Sequence, residues 1–205
     1  MSSLDEFLQN VRQWAADRDI DTQGTRSGQL EKIEEEVEEL REANERYLVE
    51  QYNPGEPSQE TLELMADAVG DTVVTVLCYC ETADRLKLHQ FDLFDQDVEF
   101  MQAWSEALEN RVAVTVSEQI MRVEKAVEAL RLADEEWDLD IHNSGSPKAD
   151  TMTRVRGRAW LLIYELVVYC EVTDTDFHDS CWAAWNEIKD RKGRMVNGVF
   201  VKETT

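Results

Sequence analysis

Proline is scarce in this chain, and that constrains its fold more than any other feature. Three prolines occur, at positions 54, 57 and 147, and the eight glycines fall in a few clusters. Proline removes a backbone donor and breaks helices, so long stretches are left free to run as helix. Within them apolar residues recur three and four apart. Leu4, Phe7, Leu8, Val11 and Trp14 or Ala15 mark a first helix. Leu30, Ile33, Val37, Leu40 and Tyr47 mark a second, over about 28–52, which "NPGEP" stops. A third spans about 59–87. Its second half, "TVVTVLCYC", is apolar nearly all round, which suits the central helix of a bundle. Its β-branched residues also fit a strand, but the flanking "ETLELMADAVGD" lacks period-two alternation and favours helix. Further helices are expected near 97–113, 115–138, 150–173 and 177–192, and the tail "GRMVNGVFVKETT" as irregular or extended chain. The expected fold is all-α, a helical bundle.

The 205 residues carry 44 acidic and 21 basic side chains, a formal charge of −23. Such a chain repels phosphate backbones and anionic lipid at long range, so neither nucleic acid nor a membrane surface is an expected partner. The first residues, "MSSLDEFLQN", lack the basic and apolar regions of a secretory signal, and no apolar run is long enough for a bilayer. Cys78, Cys80, Cys170 and Cys181 form no CxxC pair and have apolar neighbours, as reduced core thiols of a cytoplasmic protein would.

The chain matches itself at an offset of ninety residues. "SGQLEKIEEEVEELREANE" lies over "SEQIMRVEKAVEALRLADE", "NPGEPSQET" over "NSGSPKADT", and "CYCETAD" over "VYCEVTD". Roughly 17 of 58 positions from Ser27 to Asp84 are identical without a gap. Trp14 meets Trp104, although "AWSEALENR" also resembles "AWNEIKDRK". The expectation is two tandem copies of one helical module, residues 1–92 and 93–205, packed as a pseudo-dimer within one chain.

The match also sorts the acidic residues. Glu34 and Glu38 recur as Glu124 and Glu128. Glu35, Glu36 and Glu39 become Lys125, Ala126 and Ala129, while Asp67 and Asp71 become Gly157 and Leu161. Glu31, Glu34 and Glu38 read as solvated helix surface. The five carboxylates that are not repeated read differently. Glu35 and Glu39, Glu36 and Glu39, and Asp67 and Asp71 each lie one turn apart, where like charges repel unless a cation sits between them. Asp71 lies one turn before the most apolar segment, where a carboxylate is costly unless paired or metal-bound. Two facing helices with such residues form an oxygen cage suited to Mg²⁺ or Mn²⁺; no nearby His or Cys points to zinc or iron.

"KIEEEVEEL" followed by "ADAVGDTVV" resembles the EExxE…ExxD pattern of MazG-like all-α nucleoside triphosphate pyrophosphohydrolases. "VRQWAADRDI" is similar to their first helix, and "WNEIKDRKGRMVNGVFVKE" to the C-terminal segment of phage-type members. The resemblance implies that Glu36 and Glu39 match ExxE and that Asp71 matches the end of ExxD. The glutamate of ExxD falls on Ala68, with Asp67 beside it as a substitute. It further implies a cytoplasmic enzyme (host cytoplasm if phage-encoded) that hydrolyses a (d)NTP to a (d)NMP and pyrophosphate with Mg²⁺, or Mn²⁺, held by Glu36, Glu39, Asp71 and Asp67. Glu35 or Glu39 accepts the proton of the attacking water. Lys189, Arg191, Lys192 and Arg194 either meet the phosphates or form a solvated helix end. Arg154, Arg156 and Arg158 occur where the first copy has Leu64, Ala66 and Ala68; Arg154 and Arg158 share a face and either reach across the pseudo-two-fold or pair with surface acids. Trp14, Trp104, Trp182 and Trp185 are core residues or base-stacking platforms. Two other readings stay open: a catalytically inactive nucleotide-binding or interaction module, and a narrower dUTP or alarmone hydrolase. Pseudo-dimers of this kind also leave room for pairing of two chains.

Overall fold

The first helix, α1 (Leu4–Ala16), starts where the Ser3 hydroxyl accepts the backbone N–H of Glu6. The computed structural model describes residues 3–52, 56–82 and 115–203. A short α2 (Ile20–Gln23) follows, then α3 (Arg26–Tyr52), α4 (Gln59–Thr82), α5 (Val116–Ser144), α6 (Ala149–Thr173) and α7 (Phe177–Ile188). Strands β1 (Gly193–Val196) and β2 (Val199–Lys202) close the chain as an antiparallel hairpin. The all-α expectation holds for the described residues. The helix expected at 97–113, Trp104 and the 92/93 module boundary lie outside them.

The periodic apolar residues are the buried ones. Phe7, Leu8, Val11, Trp14 and Ala15 bury one face of α1, and Leu30, Ile33, Val37, Leu40 and Tyr47 one face of α3. α4 is buried nearly all round from Val69 to Cys80 and packs against α1, α2, α3, α6 and α7, the central place its composition calls for. All four cysteines are buried free thiols.

α3 and α4 pack as one helical hairpin and α5 and α6 as another, and the two meet through α3–α5 and α4–α6 contacts. Their local devices recur at the ninety-residue offset. Glu50 accepts from the Ser58 backbone N–H at 2.7 Å and the Thr61 hydroxyl at 2.9 Å. Asp140 accepts from the Lys148 backbone N–H at 3.1 Å and the Thr151 hydroxyl at 2.5 Å. The Lys148 ammonium also pairs with Asp140 at 2.6 Å and is the first cause there; with these bonds both carboxyls are held down at about 2. Between the hairpins the contacts are reciprocal: the Tyr79 hydroxyl donates to Asp134 at 2.5 Å, and the Tyr169 hydroxyl to Asn44 at 3.0 Å.

One helix end differs from expectation, and the tail takes the extended form. α7 stops at Ile188 rather than near 192, because side chains of α1 and the turn after it occupy its last carbonyls. The Trp14 indole N–H donates to the Ile188 carbonyl at 2.8 Å, and the Arg18 guanidinium donates to those of Lys189 and Arg191. The tail is an ordered hairpin. Asn197 and Gly198 both have positive φ, 52° and 83°, as a type I′ turn requires, and "VNGV" is its sequence signal. The Gly198 carbonyl accepts the Thr25 backbone N–H at 3.0 Å, docking the hairpin on the start of α3.

Candidate functional site

α3, α4 and the end of α7 place six carboxylates, Glu35, Glu36, Glu39, Asp67, Asp71 and Glu187, and two cations, Lys32 and Arg191, in one electrostatic neighbourhood. The crossing of α4 and α7 makes this possible. A Cβ on Gly70 would lie 2.3 Å from the Ser180 carbonyl oxygen, so only glycine lets α7 approach so closely. That approach sets Glu187 and Arg191 beside the face of α4 that carries Asp67 and Asp71.

Glu36 is half-buried, and its carboxyl is raised to about 7. Burial is the first cause; the charges of Asp71, Glu39 and Glu35 add to it, and Lys32 opposes them. Asp71, also half-buried, is raised to about 6 by burial first, then by Asp67, Glu187 and Glu39, against Arg191. Asp71 Oδ1 is buried with no hydrogen-bond partner. Asp67 is largely exposed, yet burial and Glu187 raise it too. An all-oxygen set, mutual repulsion and an orphaned carboxylate oxygen fit a hard divalent cation such as Mg²⁺.

These carboxylates meet as charges across a helical hairpin rather than as a closed cage. Among the described residues, the group whose ligand atoms all lie within 4.8 Å of one another is Asp176, His178 and Asp179. Helix capping accounts for that cluster, since Asp176 starts α7 by accepting the Asp179 backbone N–H at 2.8 Å.

The described residues singled out in the sequence each have a definite place. Asp71 shares an electrostatic neighbourhood with Glu36, Glu39 and Asp67. Glu35 is exposed next to them and ion-paired with Lys32. Glu31, Glu34 and Glu38 are exposed, and Glu38 pairs with Arg41, as solvated surface should. Ala68, at the ExxD glutamate position, is 3% exposed and packed in the core. Asp67 instead shares the face of Asp71 one turn earlier.

Among the cations, Arg191 is half-buried, pairs with Glu187, and acts on both Asp67 and Asp71. Lys189 is exposed and donates to Asn186 at 2.8 Å; Lys192 and Arg194 are exposed beyond it. Arg154 pairs with Glu136 at 2.9 Å, while Arg158 is exposed on α6. The charges acting most on Glu36, Asp67 and Asp71 come from α3, α4 and the α7 end. Trp14 is a core residue by its hydrogen bond and burial, and Trp182 packs edge-on to Phe7.

Glu187 and Lys32 were not singled out in the sequence. Glu187 had one local signal, its position four residues before Arg191, but only the Gly70 crossing shows which helix it faces. Comparison of the chain with family models, curated proteins and solved structures finds no match.

Proposed function

We propose that this protein is a Mg²⁺-dependent nucleoside triphosphate pyrophosphohydrolase, converting a (d)NTP and water to a (d)NMP and pyrophosphate. One observation carries the reading. The hairpin of α3 and α4 concentrates carboxylates around an orphaned oxygen of Asp71, while the matching positions of α5 and α6 hold Lys125, Ala126, Ala129, Gly157 and Leu161. A fold needs none of these carboxylates, since the second hairpin packs without them.

Glu36, Glu39, Asp67 and Asp71 are the residues that would hold the cation, with Mn²⁺ as an alternative to Mg²⁺. When bound, that ion neutralises triphosphate oxygens and polarises the α-phosphoryl group. Glu39 accepts the proton of the attacking water, because it is exposed between Glu36 and Asp71; Glu35, engaged by Lys32, is the second candidate. Arg191, whose charge acts on both Asp67 and Asp71, meets the leaving pyrophosphate, with Lys189, Lys192 and Arg194 in the exposed chain around it.

The hairpins are read as two copies of a MazG-like module in an intrachain pseudo-dimer, and the reciprocal Tyr79–Asp134 and Tyr169–Asn44 bonds support this. The second copy serves as scaffold for one active site per chain, and pairing of two chains is compatible with it. No helix among the described residues is long and apolar enough to cross a membrane, which suits an enzyme of the nucleotide pool. A second reading, an inactive nucleotide-binding module, draws on Ala68, which leaves the site one carboxylate short of the family pattern.

Pyrophosphate release measured over a panel of NTPs and dNTPs with Mg²⁺ separates the two. Hydrolysis by the wild type that is lost in Asp71→Asn and Glu39→Gln, with helicity unchanged, supports the enzyme. Nucleotide binding without turnover of any substrate supports the inactive module.

A further inference from the structure

We infer that Arg18 is a positioning residue for the acidic site: it fixes the backbone at Arg191 and so sets how strongly that guanidinium competes with a bound cation. The inference rests on the reading of α3 and α4 as a metal site. Arg18 lies on no helix of the site. It follows α1, yet its guanidinium donates twice to the Arg191 carbonyl, from Nη2 at 2.8 Å and Nε at 3.1 Å. It also donates to the Lys189 carbonyl at 3.2 Å and to the Trp14 carbonyl at 3.4 Å. Its guanidinium carbon lies over the Trp14 ring, 4.5 Å from the centroid, and 5.9 Å from the centroid of Phe200 on β2. Trp14 in turn holds the Ile188 carbonyl. One half-buried guanidinium therefore ties together the end of α1, the end of α7 and the C-terminal hairpin.

The tie converges on the turn that carries Arg191. Its side chain pairs with Glu187, and its charge is the positive one acting on both Asp67 and Asp71. A planar five-donor fork suits this task, because one rigid group meets two carbonyls and an aromatic face at once; lysine cannot. Without Arg18, the turn keeps the Arg191 N–H bond to the Ile188 carbonyl and the Glu187 pair but loses the side-chain donors on the Lys189 and Arg191 carbonyls, so Arg191 is held less firmly relative to the two aspartates. Arg191 and a divalent cation are alternatives for the same negative field. Holding Arg191 in place weakens the metal alone but keeps a phosphate-binding cation beside it. Releasing it does the reverse.

The consequence is a pair of opposite changes that simple loosening of the fold does not produce. Titrating the full chain with Mn²⁺, followed by electron paramagnetic resonance, reads the metal alone. Arg191→Gln is expected to bind Mn²⁺ about threefold to tenfold more tightly, as expected for removing one nearby charge from a partly exposed site. Arg18→Lys is expected to move in the same direction by a smaller factor. In the Arg191→Gln background, Arg18→Lys should change Mn²⁺ affinity no further, because the group it acts through is gone. Meanwhile KM for any hydrolysed triphosphate should rise in both single variants.

Circular dichroism on each variant separates these effects from unfolding, and Arg191→Gln, lying outside the apolar core, reports even if Arg18→Lys is destabilised. Additive effects of the two substitutions, unchanged or weaker Mn²⁺ binding in Arg191→Gln, or no Mn²⁺ binding by any variant would each overturn the inference. Non-additive tightening of Mn²⁺ without turnover of any triphosphate supports it and sinks the hydrolase reading alone.

Discussion

Asp71→Asn is expected to stabilise the protein without metal and to abolish stabilisation by metal. Asp71 is raised from an ordinary 3.8 to about 6. A difference of this size corresponds to about 3 kcal/mol against the ionised carboxylate once the pH is well above 6. The residue is only half-buried and water shares its charge, so about 1.5 kcal/mol is the working figure. The sign follows from proton uptake. Between pH 3.8 and 6 the folded protein holds the proton more tightly than the unfolded chain. The contribution to stability is therefore full below the unfolded value and is lost as pH rises through the folded one. Asparagine removes the loss. For a chain of this size the melting temperature should rise by roughly 3–6 °C at pH 8, and by about half as much at pH 5. Adding 10 mM Mg²⁺ should raise the wild type and leave the variant where it was.

Differential scanning fluorimetry at both pH values, with and without Mg²⁺, tests this directly. A variant less stable than the wild type at pH 8 would show that Asp71 makes a net favourable contact, and the argument for a strained, cation-seeking carboxylate would fail. A variant that still gains stability from Mg²⁺ as the wild type does would place the cation elsewhere.

Ala68→Glu should fail to restore a metal ligand: Ala68 is buried in the core, so the new carboxylate is expected to cost several kcal/mol and lower the melting temperature with no gain in Mg²⁺ binding. Tyr79→Phe should cost about 1–2 kcal/mol in urea unfolding, since it removes one of the donors to buried Asp134 and leaves the Arg26 N–H at 2.9 Å to hold it. Asn44→Asp should destabilise by a similar amount or more, and Val116→Arg, at the position matching Arg26, should recover part of the loss; an additive double variant would refute that pairing.

Most of the bundle was legible because helix burial follows a period that sequence displays. Leu30, Ile33, Val37 and Leu40 lie on one stripe, and all four are buried. Glu38 and Arg41 are likewise readable as surface from their spacing. The carboxylates of α3 and α4 were separable from that surface because the chain carries a second hairpin lacking them. What was not legible depends on contacts between elements distant in sequence. Glu187 reaches Asp71 only through the close crossing at Gly70, and a glycine within an apolar helix does not announce its partner. Arg18 looks like an ordinary charge in "AADRDI", and nothing local ties it to carbonyls more than 170 residues away. The hairpin at the C-terminus did have a local signal, Asn197-Gly198 between valines, which outweighs the polar look of the tail.

The contact between the hairpins shows how two similar hairpins can differ in charge. Each tyrosine hydroxyl, Tyr79 and Tyr169, needs a buried acceptor on the opposite hairpin. On one side the acceptor is Asp134, a buried acid, and Arg26 of α3 neutralises it while lying 4.9 Å above the Trp137 ring. On the other side the position matching Arg26 is Val116, which offers no charge. An aspartate at 44 would then be a buried anion with only a hydroxyl for company, so the neutral Asn44 is the acceptor that the environment permits. The two hairpins thus keep the same hydrogen bond but differ in charge as a set. The acidic groups of α3 and α4 take no part in that contact: neither tyrosine hydrogen bond between the hairpins uses Glu36, Glu39, Asp67 or Asp71.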